Sequence, residues 1–331
     1  MVYTELVTII LGISLVLYTL LGGADFGAGI IELFTGDRGN EMISNAMAPV
    51  WEANHIWLII ALVILFNGFP EAYVVFSTAL HIPVLIILVG IIFRGAAFTF
   101  RHYDAYKDES QKWYSAIFRY SSVLTVLFLG ITAAALFSGT IPSSLEGATF
   151  YSYFIAPWAN FFCLSVGVFL MTLSAYIAAA FLLGEVKTAE GYQLIQNFTK
   201  RLFVASVISG IFIFIASYFQ NLAFHTTFLA HPVSIICGVM ASVSVPLVFK
   251  MMNQKRIWPL RIIVGAQVLL IFSGWFILQW PDLIKFSDGT TLNIYEASSP
   301  EITMKVLLGA LVFGVLSIFP SLYYLFRIFK K

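Results

Sequence analysis

Two segments contain the side chains best suited to proton chemistry. Asp25 lies within residues 22–29, where four glycines surround this one acid. Glu52 and His55 stand three positions apart, so both would lie on one face of a helix. Carboxyl and imidazole groups take up and release protons near neutral pH. Their types and spacing indicate a route for protons. A plainer interpretation of Glu52 as a helix cap stays open, because an acid favours a helix N-terminus.

Arg94 is the cation that the sequence places at a similar depth to these acids. It ends a long apolar run and precedes a Gly-Ala-Ala-Phe segment. One interpretation makes Arg94 a counter-ion to Asp25 or Glu52. The other makes it an interfacial arginine whose charged end reaches the headgroups while its stem stays in the apolar region. The sequence leaves both interpretations open.

The remaining candidates for ligand chemistry are isolated from one another along the chain. His81 and His231 could share a membrane depth as a haem pair, but a lone histidine in a bundle more often makes a hydrogen bond. His102 and His225 are interpreted as loop or boundary residues. Cys163 and Cys237 lie in apolar runs without metal-ligand spacing, so we interpret them as buried thiols. The sequence predicts no metal site and no cofactor in this chain.

The elements that must position these residues are apolar runs long enough to cross a membrane. Hydrophobic residues make up 60% of the 331 and charged residues 11%, whereas soluble domains carry about 25% charged residues. A span needs about 20 mostly apolar residues. The pattern predicts an all-α polytopic protein forming a single transmembrane domain over residues 1–331. The nine predicted spans are 3–22, 51–69, 73–93, 114–137, 158–183, 202–220, 228–249, 260–279 and 304–326.

We expect these spans to form two four-helix bundles and one peripheral helix. Spans 1–4 would cover about residues 3–137, spans 5–8 about residues 158–279, and span 9 about residues 304–326. No loop is large enough for a soluble domain. The sequence contains no long basic face that would indicate nucleic acid as a partner.

The distribution of cations predicts the orientation. Only Lys285 and Lys305 fall on one side of the predicted spans, and the other 16 of the 18 lysines and arginines fall on the opposite side. Short cytoplasmic loops are the positive ones. The N-terminus is therefore expected outside and the C-terminus in the cytoplasm, which an odd number of spans satisfies. These 16 cations are Arg38, Arg94, Arg101, Lys107, Lys112, Arg119, Lys187, Lys200, Arg201, Lys250, Lys255, Arg256, Arg261, Arg327, Lys330 and Lys331.

Six segments together resemble subunit II of bacterial cytochrome bd-type quinol oxidases. The resemblance is densest over residues 20–101 and follows the order of the spans along the whole chain. The sequence departs from many relatives at Glu52, where they have aspartate, and at His55, where they have another polar residue. The segments are 23–29, 48–58, 69–73, 93–98, 280–284 and 292–297.

The resemblance implies a haem-free subunit of a respiratory complex in the bacterial plasma membrane. A haem-bearing subunit I would carry haems b and d and oxidise quinol, while this chain would stabilise the complex and contribute a cytoplasmic proton path for oxygen reduction. That path would include Glu52, Asp25, His55 and Arg94. Trp57 matches a tryptophan near a proposed oxygen route. The resemblance also allows a structurally bound quinone and a small single-span third subunit, with lipid and quinol as further partners.

Two other functions remain open at the level of sequence. An autonomous ion-coupled transporter would also explain charges inside the membrane, although the spans show no clear repeat of the kind common in carriers. Substrate flux through vesicles containing this chain alone would favour a transporter. A stand-alone haem cytochrome would show a haem spectrum from the isolated chain.

Overall fold

The structure is a computed structural model that describes residues 1–36, 43–44, 47, 51–104, 109–186 and 188–329. Five of the cations used to predict orientation lie outside the described residues: Arg38, Lys107, Lys187, Lys330 and Lys331.

Nine helices of the described residues are long and apolar enough to cross a membrane. Lipid offers no hydrogen-bond partners, so a spanning segment must satisfy its backbone internally, as a helix does. Several spans contain a break between two shorter helices. In chain order the helices are α1 (Val2–Leu17), α2 (Gly23–Thr35), α3 (Trp51–Asn54), α4 (Ile56–Gly68), α5 (Pro70–Ala79), α6 (His81–Tyr103), α7 (Ser110–Phe137), α8 (Phe150–Phe154), α9 (Phe161–Leu182), α10 (Ala189–Phe219), α11 (Phe224–Ala230), α12 (Pro232–Val243), α13 (Val245–Asn253), α14 (Ile257–Gln279) and α15 (Glu301–Phe329).

The first span is longer than predicted. A π-helical turn, Tyr18–Gly22, joins α1 to α2, and the helix continues through the glycine-rich segment to Thr35. The predicted end at residue 22 was wrong, because the glycine-rich segment stays helical. In a membrane bundle glycine allows neighbouring helices to approach closely. Asp25 consequently lies inside a helix rather than at its end.

The third span is displaced toward the C-terminus relative to the prediction of 73–93. Helix α5 ends at Ala79, and the spanning helix α6 runs from His81 to Tyr103. His81 therefore begins the span instead of lying inside it. Arg94, predicted at the end of the span, lies within α6 and is 1% exposed. The interpretation of Arg94 as an interfacial side chain reaching the headgroups is wrong.

The spans pack side by side through a few extensive helix pairs. Helix α7 packs on α6, α2 and α9, and α9 packs also on α2, α10 and α14. Helix α12 packs on α14, while α15 lies against α1 and α4. Small residues allow the contact between α7 and α9: a Cβ atom on Gly130 of α7 would lie 2.7 Å from the Cα atom of Gly167 in α9. The division into two four-helix bundles stays a prediction.

The connections at one end of the bundle contact each other. After α14, strands β1 (Asp282–Lys285) and β2 (Thr291–Asn293) form an antiparallel hairpin. The hairpin reaches the connection between α7 and α9, where the Ser287 amide donates to the Ile141 carbonyl at 2.9 Å. Further along, the Ser299 amide donates to the carbonyl of Gly68 at 2.8 Å. Below, this end is called the hairpin end.

Candidate functional site

Asp25 lies inside the bundle, 3% exposed, on helix α2. The helix can bury an acid there because its glycines permit close neighbours. A Cβ atom on Gly27 would collide with the carbonyl group of Ser174 in α9. An unpaired charge inside a membrane protein is costly. Asp25 must therefore be paired by neighbouring side chains, and three other elements supply them.

Asn54 binds Asp25 directly. The Asn54 Nδ2 atom donates to Asp25 Oδ2 at 2.7 Å and lies 3.4 Å from the Leu21 carbonyl oxygen. Leu21 belongs to the π-helical turn of the first span. Such turns often occur at functional sites. Asn54 therefore joins the start of the second span to both the acid and the irregular turn that precedes it.

Arg94 supplies positive charge to the same interior region. Its guanidinium lies 4.6 Å from the centre of the Phe26 ring and 5.3 Å from that of Phe118. It interacts electrostatically with Asp25, although no direct ion pair within 4.0 Å joins these two described residues. Within the described part of the chain, Arg94 Nε and Nη2 have no hydrogen-bond partner. The role of Arg94 as a counter-ion to Asp25 stays a prediction.

Tyr18 and His55 complete the interior group. The Tyr18 hydroxyl lies 3.5 Å from His55 Nδ1, and both rings pack against Phe26. Tyr18 also interacts electrostatically with Asp25 and Arg94. Tyr18 and Asn54 were not predicted, since neither residue type carries charge. The five residues Tyr18, Asp25, Asn54, His55 and Arg94 are called the Asp25 cluster below.

Glu52 lies outside the Asp25 cluster. It is exposed on the first turn of α3, whereas Asn54 of the same helix is buried. His55 donates its backbone amide to the Glu52 carbonyl at 3.3 Å, but the structure joins the two side chains by no hydrogen bond or ion pair among the described residues. Glu52 is thus placed to face a partner or the membrane surface.

Trp57, predicted for oxygen access, is buried beside the Asp25 cluster. It is 3% exposed and packs with Tyr18, Phe26 and Val126. Its ring centre lies 6.0 Å from that of Phe319 in α15. Its indole nitrogen has no hydrogen-bond partner among the described residues. An oxygen route along Trp57 stays a prediction.

A second buried ionic group was not predicted. Glu32, on α2, is fully buried and accepts hydrogen bonds from Arg101 Nη1 at 2.7 and 2.9 Å and from Arg119 Nε at 2.9 Å. Arg101 also donates to the hydroxyl of Ser44 at 3.1 Å. Glu32 follows Asp25 by seven residues, which is two helical turns. If the first helix had been predicted to continue beyond residue 22, this spacing would have placed Asp25 and Glu32 on one helix face.

The histidines considered as haem ligands lie in different surroundings. His81 is exposed, with Nδ1 2.9 Å from the Thr78 carbonyl oxygen and its ring against Phe154. His231 precedes α12, and no ring contact or hydrogen bond joins it to His81 in the part of the chain that is described. Cys163 and Cys237 are both buried and free. Neither pair forms a ligand set.

The Asp25 cluster brings together side-chain types that can carry a proton. A carboxylate, a phenol and an imidazole occupy one interior region, and Arg94 offsets the charge of Asp25 when it is ionised. Glu32 with two arginines lies two turns further along the same helix. Titratable groups therefore extend from the interior of the bundle toward the end opposite the hairpin end.

Comparison with known proteins identifies the family. A sequence model described as cytochrome bd terminal oxidase subunit II matches residues 3–329. Cytochrome bd ubiquinol oxidase subunit 2 of Bacillus subtilis is 30% identical over 133 residues, which are 40% of this chain and 39% of that protein. Cytochrome bd-I ubiquinol oxidase subunit 2 of Escherichia coli is 28% identical over 107 residues, 32% of this chain and 27% of that protein.

The fold has a known counterpart. A structure of bd oxidase from Geobacillus thermodenitrificans superposes with a TM-score of 0.79 at 21% identity and covers 99% of both chains. The matched sequence segments span less than half of the two relatives from Bacillus and Escherichia. The family model, in contrast, extends over nearly the whole sequence, and the chain belongs to the cytochrome bd terminal oxidase subunit II family.

Proposed function

We propose that this chain is the haem-free subunit II of a quinol oxidase that reduces oxygen to water. It would stabilise a haem-bearing subunit I and contribute a cytoplasmic proton path. Family membership supports the assignment to the complex. The observation that carries the proton path is the hydrogen bond from Asn54 to the buried carboxylate of Asp25, with Arg94 in electrostatic range.

A proton path is needed because oxygen reduction consumes protons and lipid conducts them poorly. The proposed path includes Glu52, Asp25, His55 and Arg94. Exposed Glu52 would take protons from the partner interface or the cytoplasmic surface. Buried Asp25 and half-buried His55 would pass them inward, since both groups can gain and lose a proton. Arg94 would hold the charge balance while the proton moves.

The cofactors and partners belong to the same proposal. Haems b and d would lie in subunit I, as the resemblance to the family implies. Quinol would be oxidised by subunit I, and a structural quinone and a small single-span subunit remain compatible with the assembly. Trp57 would border an oxygen route.

The proposed location is the bacterial plasma membrane. The protein is an integral membrane protein with many apolar helices. We propose that the N-terminus and the hairpin end face outward and that the C-terminus faces the cytoplasm. The cation distribution supports this orientation, since Lys285 and Lys305 alone lie on the side assigned to the exterior.

The proton path is tested by replacing its acids in the assembled oxidase. Asp25→Asn keeps the shape of the side chain and its bond to Asn54 but removes a proton carrier. Glu52→Gln does the same at the exposed position. We expect each change to slow quinol-dependent oxygen consumption about tenfold or more, since positioned proton-transfer groups contribute roughly 10²–10⁴-fold.

The control is Glu71→Gln, which alters an exposed acid at the start of α5, three residues after Gly68 of the hairpin end. It should leave turnover unchanged. Subunit content and the haem spectrum must match the unaltered complex in all three variants. Full turnover by a fully assembled Asp25→Asn complex would disprove the path through Asp25, and the same result for Glu52→Gln would remove Glu52 from it.

A further inference from the structure

A cavity of about 210 Å³ lies at the hairpin end, well separated along the helices from the Asp25 cluster. The end of α7, the start of α11 and the end of α14 form its walls, and the β-hairpin covers it. Its aromatic wall contains Phe137, Phe224 and Trp275, with Trp275 and Phe137 ring centres 5.1 Å apart. Pockets for drug-sized ligands are usually about 300–1,000 Å³. A small chemical group therefore fits this cavity.

Two hydrogen-bonding side chains in the cavity wall lack a partner within the described residues. The indole Nε1 of Trp275 and the amide Nε2 of Gln279 are both buried and unpaired. The Gln279 residue is 9% exposed. An indole N–H can only donate. Buried polar groups usually have partners because leaving one unpaired costs free energy. The wall is therefore suited to a ligand that accepts hydrogen bonds.

The charge of the cavity wall favours an anion. Lys285 is half-buried and is the one ionisable residue among those that line the cavity. No ion pair joins Lys285 to another described residue. Neither acid of the hairpin, Asp282 or Asp288, lines the cavity, and the Asp288 carboxylate accepts hydrogen bonds from Ser143 and Thr290. Lys285 and Trp275 thus line one small cavity, and none of the described residues that line it is an acid.

We propose that this cavity binds a phosphate group, with Lys285, Trp275 and Gln279 as its ligands. The phosphate could belong to a lipid headgroup or be free in solution, since both present the same acceptor oxygens and negative charge. The position at one end of the spans, beside an aromatic wall, places the site at the depth of lipid headgroups. The site is independent of the proton path proposed above.

The purified complex tests the site by native mass spectrometry after removal of bound lipid. Phosphatidylglycerol, a diacylglycerol with the same acyl chains, and inorganic phosphate are titrated separately. Lys285→Met should weaken phosphatidylglycerol binding about tenfold or more, since it removes a charged hydrogen-bond donor. Trp275→Phe should cause a smaller loss. Lys305→Met, which removes the other cation of this side, is the control and should change nothing.

Each outcome decides the proposal. Retention of phosphatidylglycerol without competition by phosphate supports a lipid headgroup, and competition by phosphate supports a site for the free anion. Equal retention of diacylglycerol would overturn the proposal, as would a quinone found in the cavity. Unchanged phosphatidylglycerol binding by a folded Lys285→Met complex would overturn it too.

Discussion

At the residue scale, Gly27 determines how closely α2 and α9 approach each other. A Cβ atom at this position would collide with the backbone carbonyl of Ser174 and lie 2.8 Å from the Cβ atom of Ala178, so α9 packs directly on the backbone of α2. A backbone atom cannot rotate away as a flexible side chain can. The position therefore requires glycine for reasons of packing, next to the acid that carries the proposed chemistry.

Gly27→Ala should destabilise the protein by about 1–3 kcal/mol, the usual cost of overpacking a dense interior. The measurement is the thermal unfolding of the complex in nanodiscs. Gly265→Ala is the matched control, because Gly265 lies in α14 with open space around it. Alanine favours a helix over glycine, so Gly265→Ala should be neutral or slightly stabilising. Equal stability of the two variants would contradict the packing argument.

The sequence could identify only part of the Asp25 cluster. Asp25, His55 and Arg94 were predictable because ionisable residues in apolar runs need a reason. Asn54 and Tyr18 were not, since their roles depend on a π-helical turn and on contacts between spans that are distant in sequence. The exposed position of Glu52 was also beyond prediction, because residue spacing defines a helix face but not what that face contacts.

At the scale of elements, Glu32 joins three helices. Its carboxylate, on α2, binds Arg101 near the end of α6 and Arg119 near the start of α7. Arg101 is 5% exposed and Arg119 is 19% exposed. Removing one member of a buried ionic group typically costs about 3–5 kcal/mol because the charge left behind stays out of water. The loss here should lie near the lower value, since Arg119 retains some access to solvent.

Glu32→Gln should therefore lower the thermal stability of the complex by about 3 kcal/mol. Glu109→Gln is the control: Glu109 pairs with Lys112 at 3.0 Å on the surface, with side chains 90% and 74% exposed. Exposed pairs contribute about 0–1 kcal/mol. A Glu32→Gln complex as stable as the Glu109→Gln complex would show that Glu32 does not hold the three helices together.

The ionic group around Glu32 and the true end of the first span were missed for the same reason. Ending the first span at residue 22 placed Glu32 in a loop, where an acid needs no explanation. The nine spans themselves were predicted correctly in number and order within the described residues, because a run of about 20 apolar residues is a strong signal. The ends of the spans were predicted less accurately, since glycine and proline can either end a membrane helix or lie within it.

The hydrogen bond between Ser143, in the connection after α7, and Asp288, in the β-hairpin, should depend on pH. Asp288 accepts hydrogen bonds from Ser143 and from Thr290, and these bonds lower the pKa of its carboxyl group from 3.8 to about 2. A lowered folded pKa means that the stabilisation is fully present above the unfolded pKa. It is lost as the pH falls through the folded pKa.

Hydrogen exchange of the hairpin amides measures this link. Protection in the unaltered protein should exceed that in Asp288→Asn by a constant factor between pH 7 and 5, after correction for intrinsic rates. The difference should shrink as the pH falls from about 4 toward 2. A difference that grows on acidification would contradict the sign of the pKa shift. A Glu146→Gln variant, which changes an exposed acid in the connection that contains Ser143, should behave like the unaltered protein.

At the scale of the whole molecule, hydrogen bonds between connections divide the protein into two ends. The hairpin end joins the connection after α14 to those after α4 and α7, and the Tyr295 hydroxyl donates to Glu5 near the N-terminus at 2.9 Å. At the other end, Arg261 binds Glu185, and the Tyr192 hydroxyl donates to the Met252 carbonyl at 2.7 Å. In a chain of nine consecutive spans, successive connections lie at alternating ends of the bundle. The hydrogen bonds between connections follow that alternation.

The division into two ends does not by itself say which end is cytoplasmic, and the proposed orientation rests on the cations. Among the described residues, Lys285 and Lys305 are the only lysines or arginines of the hairpin end, so the positive-inside rule favours the exterior for that end.

Cysteine labelling in intact cells tests this orientation. A membrane-impermeant maleimide should label Ser144→Cys, in the exposed connection after α7, without permeabilisation. It should label Gln254→Cys, exposed at the opposite end, only after permeabilisation. The native Cys163 and Cys237 are buried and should stay unlabelled. The reverse pattern would invert the topology. The end of α2 that contains Glu32 would then lie outside, and the proposed path could not draw protons from the cytoplasm.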